Sequence, residues 1–192
     1  MNLGPCILNG HAVRLEPLRS SHRAGLLTAA QATDIWAWMS MNLRNPAELD
    51  AWMAKALAEE EHGLSYPFVV RDQATGAVLG STRYMDIHPA DRGLEIGWTW
   101  YTPTVWGSAV NPETKWLLLR HAFEEWAALR VAFRTDHQNT HSQAAIRKLG
   151  AVYEGTLRNH RIRPDGSMRH TVVFSITPDE WPAVRAGLER RL

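Results

Sequence analysis

The chain has 192 residues, of which 45% are hydrophobic, and its formal net charge is +1. This length and apolar content predict one domain, residues 1–192, with a sizeable core. A net charge near zero gives no reason to expect a nucleic acid or an anionic membrane as a partner. The single cysteine, Cys6, rules out an internal disulfide framework. No signal peptide and no membrane-spanning run is recognisable, so we expect a cytoplasmic protein.

Hydrophobic periodicity and turn signals predict elements in the order βααβββαβαββα. The predicted strands cover residues 12–18, 66–71, 77–87, 94–101, 131–136, 152–162 and 168–176. The predicted helices cover residues 20–30, 46–63, 111–129, 140–149 and the C-terminal segment after 177, and residues 33–42 form a partly helical loop. This order predicts an α/β (α+β) domain with one mixed, mostly antiparallel sheet and helices on its faces.

The segment from Trp98 to Glu113 joins an aromatic strand to a small-residue loop and then to a helix. We expect Asn111 to cap this helix and Pro112 to occupy its first position. A helix N-terminus offers free N–H groups and a partial positive charge, which suits a phosphate. An ordinary strand-to-helix connection is the alternative, because the Walker and G-x-G-x-x-G patterns are both absent.

Four motifs stand out: Glu95-Ile96-Gly97-Trp98, Trp106-Gly107 with Glu113, the run N-T-H-S-Q-A-A-I-R-K-L-G-A at 139–151, and E-G-T-L-R at 154–158. Together they resemble the GNAT superfamily of acyl-CoA-dependent N-acetyltransferases, especially the branch that contains the ribosomal-protein N-terminal acetyltransferases. The resemblance implies a GNAT-like sheet of about seven strands. It also implies acetyl transfer from acetyl-CoA to a primary amine, either a protein N-terminus or a small molecule, by direct attack in a ternary complex.

The resemblance further implies that the pyrophosphate of acetyl-CoA lies on the loop before the central helix. The family pattern Q/R-x-x-G-x-G/A falls on residues 104–109, where Thr104 replaces the usual Gln or Arg and Ala109 replaces the second Gly. Pro112 also departs from the pattern. The implied acetyl-CoA contacts are Trp100, Tyr101, Trp106, Gly107, Ser108, Ala109, Val110, Asn111, Asn139, Ser142 and Arg147. Asn139 can equally act as a helix cap, and Arg147 can belong to a solvated helix face.

Acetyl transfer requires a neutral amine, a donor for the developing oxyanion and an acid for the leaving thiolate. The resemblance implies that Ser142 is this acid, and the alternative is a helix-face serine bonded to the backbone. Glu95 is the first candidate for the base, and the alternative is a solvated strand carboxylate. Strand alternation predicts that Glu95 points away from the face of Ile96 and Trp98. Two further candidate bases are Glu154 and His137.

The acceptor side is predicted to carry an aromatic wall suited to a partly apolar amine or a peptide N-terminus. Its candidate residues are Trp36, Trp38, Met41 and Trp98, with core packing as the alternative. The basic side chains of the C-terminal hairpin either attract an acidic substrate or line a solvated face: Arg158, His160, Arg161, Arg163, Arg169 and His170. No metal-binding spacing is present among the histidines.

Two readings compete with an active enzyme. The departures at Thr104, Ala109 and Pro112 favour a degenerate acyl-CoA-binding or regulatory module without turnover. The aromatic content favours a partner-binding scaffold of the same fold. A homodimer is compatible with the resemblance, and the acceptor amine stays unidentified at this point.

Overall fold

The computed structural model describes residues 4–192, which form one eight-stranded sheet with helices on both faces. The strands are β1 Leu8–Asn9, β2 Val13–Pro17, β3 Tyr66–Asp72, β4 Val78–His88, β5 Gly93–Tyr101, β6 Arg130–Asp136, β7 Val152–Ile162 and β8 Met168–Ile176. The helices are α1 Arg23–Ala29, α2 Pro46–Glu61, α3 Val110–Arg120, α4 Thr140–Leu149 and α5 Trp181–Glu189.

The sheet order is β1-β2-β3-β4-β5-β6-β8-β7, and among these neighbours only β5 and β6 run parallel. The prediction of a mixed, mostly antiparallel sheet with helices on both faces is therefore confirmed. All seven predicted strands are present. The eighth, β1, is a two-residue strand, which is too short to produce a periodic pattern.

Helix ends agree with the sequence where a side chain or a glycine marks the boundary. The Asn45 side chain accepts a hydrogen bond from the Ala47 N–H at 2.9 Å, with Pro46 at the first position of α2. Asn139 caps α4 in the same way, and Gly150 ends it with φ of 99°. A bulkier residue at position 150 would strain the left-handed backbone that stops this helix.

Two predicted helix starts were wrong. The chain forms a 3₁₀ turn at Ser20–His22 before α1, and the Ser20 side chain makes no capping bond. Helix α3 begins at Val110, so Asn111 is not its cap; the Ser108 hydroxyl accepts the Val110 N–H at 3.2 Å instead. Its far end also differs from the prediction, because the regular helix stops at Arg120 and a π-helical turn, His121–Glu125, follows.

Two apolar clusters build the core on opposite faces of the sheet. The larger one packs α3, α4 and α5 against residues such as Leu94, Phe133 and Phe174. The smaller one packs α1, α2 and the loop between them against β3 and β5, and it includes Trp36 and Trp100. Within residues 4–192 no side chain of β6, β7 or β8 joins the smaller cluster. Helices therefore leave this face of β6, β8 and β7 uncovered.

Helix α3 contains a buried lysine, Lys115, whose Nζ donates to the Thr99 hydroxyl at 2.6 Å. Among residues 4–192 no carboxylate lies within 4 Å of it, and burial lowers the pKa of Lys115 to about 7 from 10.5. The unfolded chain binds the proton more tightly, so stability rises with pH from about 7 to 10.5.

We therefore expect Lys115→Met to stabilise the protein by roughly 1–4 kcal/mol at pH 6, and by less at pH 9, because it removes an unpaired buried charge. Urea denaturation at the two pH values measures the effect. Lys148→Met, on the exposed surface of α4, is the control. A gain that is equal at both pH values would contradict titration of Lys115 as its cause.

Candidate active site

The sheet opens between β5 and β6. These strands pair only through residues 93–95 of β5 and 130–132 of β6, although β5 continues to Tyr101 and β6 to Asp136. Within residues 4–192 this edge of β5 has no strand partner beyond Glu95. Unpaired N–H and C=O groups at a strand edge are suited to pairing with an extended ligand. Glu95 is the last paired residue and so lies at the apex of this gap, which we call the split.

A β-bulge lies in β5 just beyond the apex. Its pairing with β4 shifts register between Ser81 and Arg83, so that β5 carries an extra residue there. Trp98 lies at the bulge and has φ of 51°, in the left-handed region. The bulge changes which face of the sheet each later residue of β5 occupies.

Because of this bulge, Trp98 lies on the opposite face from Ile96. Ile96 belongs to the larger core cluster, whereas Trp98 and Trp100 pack with the smaller one. The prediction that Glu95 and Ile96 lie on opposite faces of the sheet agrees with strand alternation. The prediction that Glu95 and Trp98 also lie on opposite faces was wrong. Glu95 and Trp98 therefore share the face on which α1 and α2 pack.

Glu95 is a buried carboxylate, with 5% of its surface exposed. Burial raises the pKa of Glu95 to about 7, against the opposing attraction of Arg134. The Arg134 Nη1 lies 3.0 Å from the Glu95 Oε2 and 2.9 Å from the Asp86 Oδ2, but its contact with Glu95 lacks hydrogen-bond alignment. The alternative of a solvated strand carboxylate does not hold. A carboxyl group that titrates near neutrality is suited to accepting a proton.

Ser142 lies on the other side of the split, in the first turn of α4. Its N–H donates to the Asn139 Oδ1 at 2.9 Å. Its hydroxyl is partly exposed and makes no hydrogen bond within residues 4–192. The alternative of a serine hydroxyl bonded to the backbone is therefore wrong, and the hydroxyl is free to donate. Helix α4 follows the carboxyl end of β6 as α3 follows that of β5, so both helices begin at the open end of the split.

Residues 106–111, which we call the phosphate loop after their predicted ligand, end the connection from β5 and include the first two residues of α3. Gly107 has φ of 77°, and a Cβ placed on it would meet no atom within 4 Å. Within the described chain, the N–H groups of Gly107, Ala109 and Asn111 have no acceptor, whereas those of Trp106, Ser108 and Val110 donate to neighbouring oxygens. Three alternate N–H groups are therefore available to an anion at this helix N-terminus.

The remaining predicted cofactor residues differ in position. The Trp106 indole N–H donates to the Tyr101 carbonyl at 3.0 Å, and the Tyr101 hydroxyl donates to the Asn111 Oδ1 at 3.3 Å. These two bonds connect the phosphate loop to Tyr101 at the end of β5. Arg147 lies on the exposed side of α4, with its guanidinium 5.1 Å from the Phe174 ring. The Trp100 side chain instead packs in the smaller cluster, on the face of the sheet covered by α1 and α2.

The predicted aromatic wall divides into a core part and an exposed part. Trp36 is buried, donates to the Ala30 carbonyl at 2.9 Å and packs 5.2 Å from Trp100. Trp38 is 42% exposed, and Met41 and Trp98 are half-buried against the smaller cluster. The core-packing alternative therefore applies to Trp36, whereas Trp38 remains accessible.

Three charged residues near Glu95 were not identified from the sequence. Arg83 is buried with its guanidinium 5.5 Å from the Trp52 ring and 5.4 Å from the Trp98 ring, and its Nη1 donates to the Glu59 Oε2 at 2.8 Å. The other two are Arg134 and Asp86. The signal in the sequence was the alternation along β6, in which Arg134 and Asp136 lie on the face opposite to Val131 and Phe133. This alternation indicates a charged face on the strand next to Glu95.

The two further candidate bases are both occupied by other contacts. Glu154 pairs with Arg130 and accepts the Ser175 hydroxyl at 2.7 Å. The His137 Nδ1 lies 3.1 Å from the Asp136 Oδ1, and its ring packs 4.5 Å from that of His170.

Two surface depressions lie elsewhere, and neither includes Glu95, Ser142 or the phosphate loop. One, of about 390 Å³, is lined by Leu27 and Arg44, and the other, of about 760 Å³, by Cys6 and His22. Residues 4–192 contain no group of three or more metal-ligating side chains. In the same range no helix has the length and apolar character needed to cross a membrane.

A family model described as an acetyltransferase (GNAT) domain matches residues 12–152. The chain belongs to the GNAT acetyltransferase family. No curated protein matches the sequence significantly.

Solved structures of GNAT proteins align over nearly the whole chain. A candidate acetyltransferase from T. thermophilus is 36% identical with a TM-score of 0.88, over 100% of both chains. A GCN5-related N-acetyltransferase from Brucella melitensis is 28% identical with a TM-score of 0.89, over 98% of this chain and 89% of that one. Mycobacterium smegmatis RimJ, solved with CoA-disulfide, shares the fold at 23% identity and a TM-score of 0.80, over 97% and 92%.

Proposed function

We propose that this GNAT protein transfers an acetyl group from acetyl-CoA to a primary amine by direct attack. The observation that carries the proposal is the split, with the buried Glu95 at its apex and a free Ser142 hydroxyl at its open end. The RimJ structure with CoA-disulfide, a relative in fold, supports a CoA-type donor.

The residues at the split fit acetyl-CoA as the donor. The three free N–H groups of the phosphate loop and the N-terminus of α3 suit the pyrophosphate. The unpaired edge of β5 suits the amides of an extended pantetheine arm. The departures from the family pattern are compatible with this role: Ala109 has φ of −69°, and Pro112 lies in the first turn of α3, where no N–H is needed for the helix. Two of the observations that favoured a degenerate module thus have a structural explanation.

Bound acetyl-CoA supplies an activated acetyl thioester. Glu95 accepts a proton from the attacking amine while the N–C bond forms. Ser142 donates its hydroxyl proton to the sulfur while the C–S bond breaks. Ser142 then regains a proton from solvent, and Glu95 releases to solvent the proton that it accepted. The products are an amide and the free thiol, so that atoms and charge balance. A free alkylamine has a pKa of about 10 and is therefore mostly protonated at neutral pH. The reaction needs a base that can take up the amine's proton near neutrality.

We expect Ser142→Ala to lower turnover about 100-fold while leaving acetyl-CoA binding nearly unchanged, because the hydroxyl acts only on the leaving sulfur. CoA-thiol release over an amine panel measures turnover, and thermal unfolding measures binding. Acetyl-CoA at a hundredfold excess over its Kd should stabilise both proteins by about 2.7 kcal/mol. Ser21→Ala, at an exposed position near the start of α1, is the control.

Two results would count against the proposal. Unchanged turnover of Ser142→Ala would remove Ser142 from the mechanism. If millimolar acetyl-CoA did not stabilise the wild-type protein, the donor site itself would be refuted.

A further inference from the structure

Three arginines lie on the helix-free part of the sheet next to Glu95. Arg134 projects from β6 and contacts Glu95 directly at 3.0 Å. Arg161 of β7 and Arg169 of β8 stand directly opposite each other in the antiparallel pairing of the C-terminal hairpin. We call these three residues the basic cluster. Like charges in directly opposed positions destabilise a sheet unless something neutralises them.

Within residues 4–192 no ion pair neutralises the opposed pair, although Asp136 and Glu95 attract Arg169 from a longer distance. In the described part of the chain, no carboxylate lies within 4 Å of Arg161 or Arg169, since every ion pair of this region uses other cations. Those pairs are Asp86 with Arg134 and His88, Glu95 with Arg134, Asp136 with Arg163 and His137, and Glu154 with Arg130. Arg169 is only partly exposed, and its Nε donates to the Thr171 hydroxyl at 3.3 Å.

The opposed pair is close enough to Glu95 to influence it. Burial is the largest influence on the pKa of Glu95 and raises it. The opposing influences, which lower this pKa, include the charges of Arg134, Arg161 and Arg169. His160 adds no further charge at neutral pH, since burial and then the three arginines lower its pKa. Arg169 lies two residues beyond Thr171, which pairs with Asp136 at the end of β6. A group bound by Arg161 and Arg169 would therefore lie toward the open end of the split.

We propose that Arg161 and Arg169, supported by Arg134, form an anion subsite that selects acceptors whose amine is accompanied by a carboxylate or a phosphate. Guanidinium groups bind both anions through paired, charge-assisted hydrogen bonds. An anion between the two arginines removes their repulsion, and it directs the amine of the same molecule toward Glu95. This inference rests on the proposed acetyl transfer, and it narrows the acceptor from any primary amine to an anionic one.

The first test compares acceptors that differ only in the anionic group. β-Alanine is paired with propylamine for the carboxylate, and O-phosphoethanolamine with ethanolamine for the phosphate. CoA-thiol release gives kcat/KM for each. We expect at least one anionic member to exceed its neutral partner about tenfold or more, and Arg161→Gln with Arg169→Gln to remove that advantage through KM. The arm that responds identifies the anion.

The matched control removes the same charge from the opposite face. Arg190→Gln with Arg191→Gln changes two exposed or half-exposed arginines after α5, which packs on the other side of the sheet. This double variant should keep the preference for the anionic acceptor. If it loses the preference equally, or if the wild-type protein does not distinguish the members of either pair, the subsite is refuted.

A second test measures binding without acetyl transfer. Inorganic phosphate should raise the Tm of the wild-type protein and of the control variant. We expect this increase to exceed that of the Arg161/Arg169 variant by about 2 °C or more. Equal shifts in all three proteins would refute the subsite. If the difference appears but no amine is acetylated, the subsite stands and the proposed transfer fails. Loss of folding does not explain a negative result, since the substitutions relieve a repulsion and the Tm reports the fold directly.

Discussion

Replacing Glu95 with Gln should remove most acetyl transfer and, at the same time, stabilise the protein above neutral pH. Gln keeps the size of the side chain but cannot accept the proton of the attacking amine. General-base catalysis typically contributes about 10²–10⁴-fold, so kcat/KM should fall by that order. The remaining activity should also lose the rise with pH through about 7 that titration of Glu95 gives to the wild-type rate.

The stabilisation follows from the direction of the same pKa shift. The pKa of Glu95 is about 7 in the folded protein against an ordinary value of 4.5, so the folded state binds the proton more tightly than the unfolded chain. The stability due to this proton is complete below pH 4.5 and is lost as pH rises through 7. At pH 8 the ionised carboxylate costs up to about 3 kcal/mol, which Gln avoids.

Denaturation by urea at pH 5 and pH 8, together with the pH profile of kcat/KM, tests both effects. Glu95→Gln should gain stability at pH 8 and little at pH 5. Glu61→Gln, at the exposed end of α2, should change neither quantity. If Glu95→Gln lost activity but showed the same stability as wild type at both pH values, then Glu95 would not carry the raised pKa.

Local signals in the sequence predicted most of the elements, because short-range chemistry determines them. Asn45 with Pro46, Asn139 and Gly150 mark helix ends through bonds or backbone angles that involve only a few neighbouring residues. The start of α3 was misplaced because two good capping residues compete there. Ser108 bonds to Val110, while the Asn111 side chain is held by Tyr101 from β5.

The arrangement of the active site depended on contacts between distant segments. The bulge at Trp98 arises from the pairing of β5 with β4, so simple alternation placed Trp98 on the wrong face. Arg134 and Glu95 are far apart in the sequence, and only the parallel pairing of β5 and β6 brings them together. A motif can indicate a candidate catalytic carboxylate, but it does not show that the carboxylate is buried or which charged groups lie beside it.

Glu113 is a further residue whose role appears only in three dimensions, and replacing it should have a large effect on stability. It is 1% exposed in the first turn of α3. Its carboxylate accepts three backbone N–H groups, from His11 at 2.6 Å, Ala12 at 2.7 Å and Val13 at 2.9 Å. The carboxylate therefore joins the turn before β2 to the helix that follows the phosphate loop.

We expect Glu113→Gln to destabilise the protein by about 2–5 kcal/mol, since the amide replaces one acceptor oxygen with a donor that faces other donors. Gly10→Ala should act on the same contact, because a Cβ there would come within 2.6 Å of the Glu113 Cδ. Urea denaturation measures both variants, and Glu125→Gln, at an exposed position after α3, is the control.

Glu113→Gln and Gly10→Ala also test whether this contact affects acetyl-CoA binding as well as folding. Because Glu113 lies one turn from the phosphate loop, release of the β2 turn should also loosen the start of α3 and weaken acetyl-CoA binding in the folded protein. Titration with acetyl-CoA, at a temperature where each variant remains folded, measures this loss of affinity. Equal stability of Glu113→Gln and the control would mean that the three N–H groups find other acceptors. Lower stability with unchanged acetyl-CoA affinity would mean that the phosphate loop keeps its shape without the β2 turn.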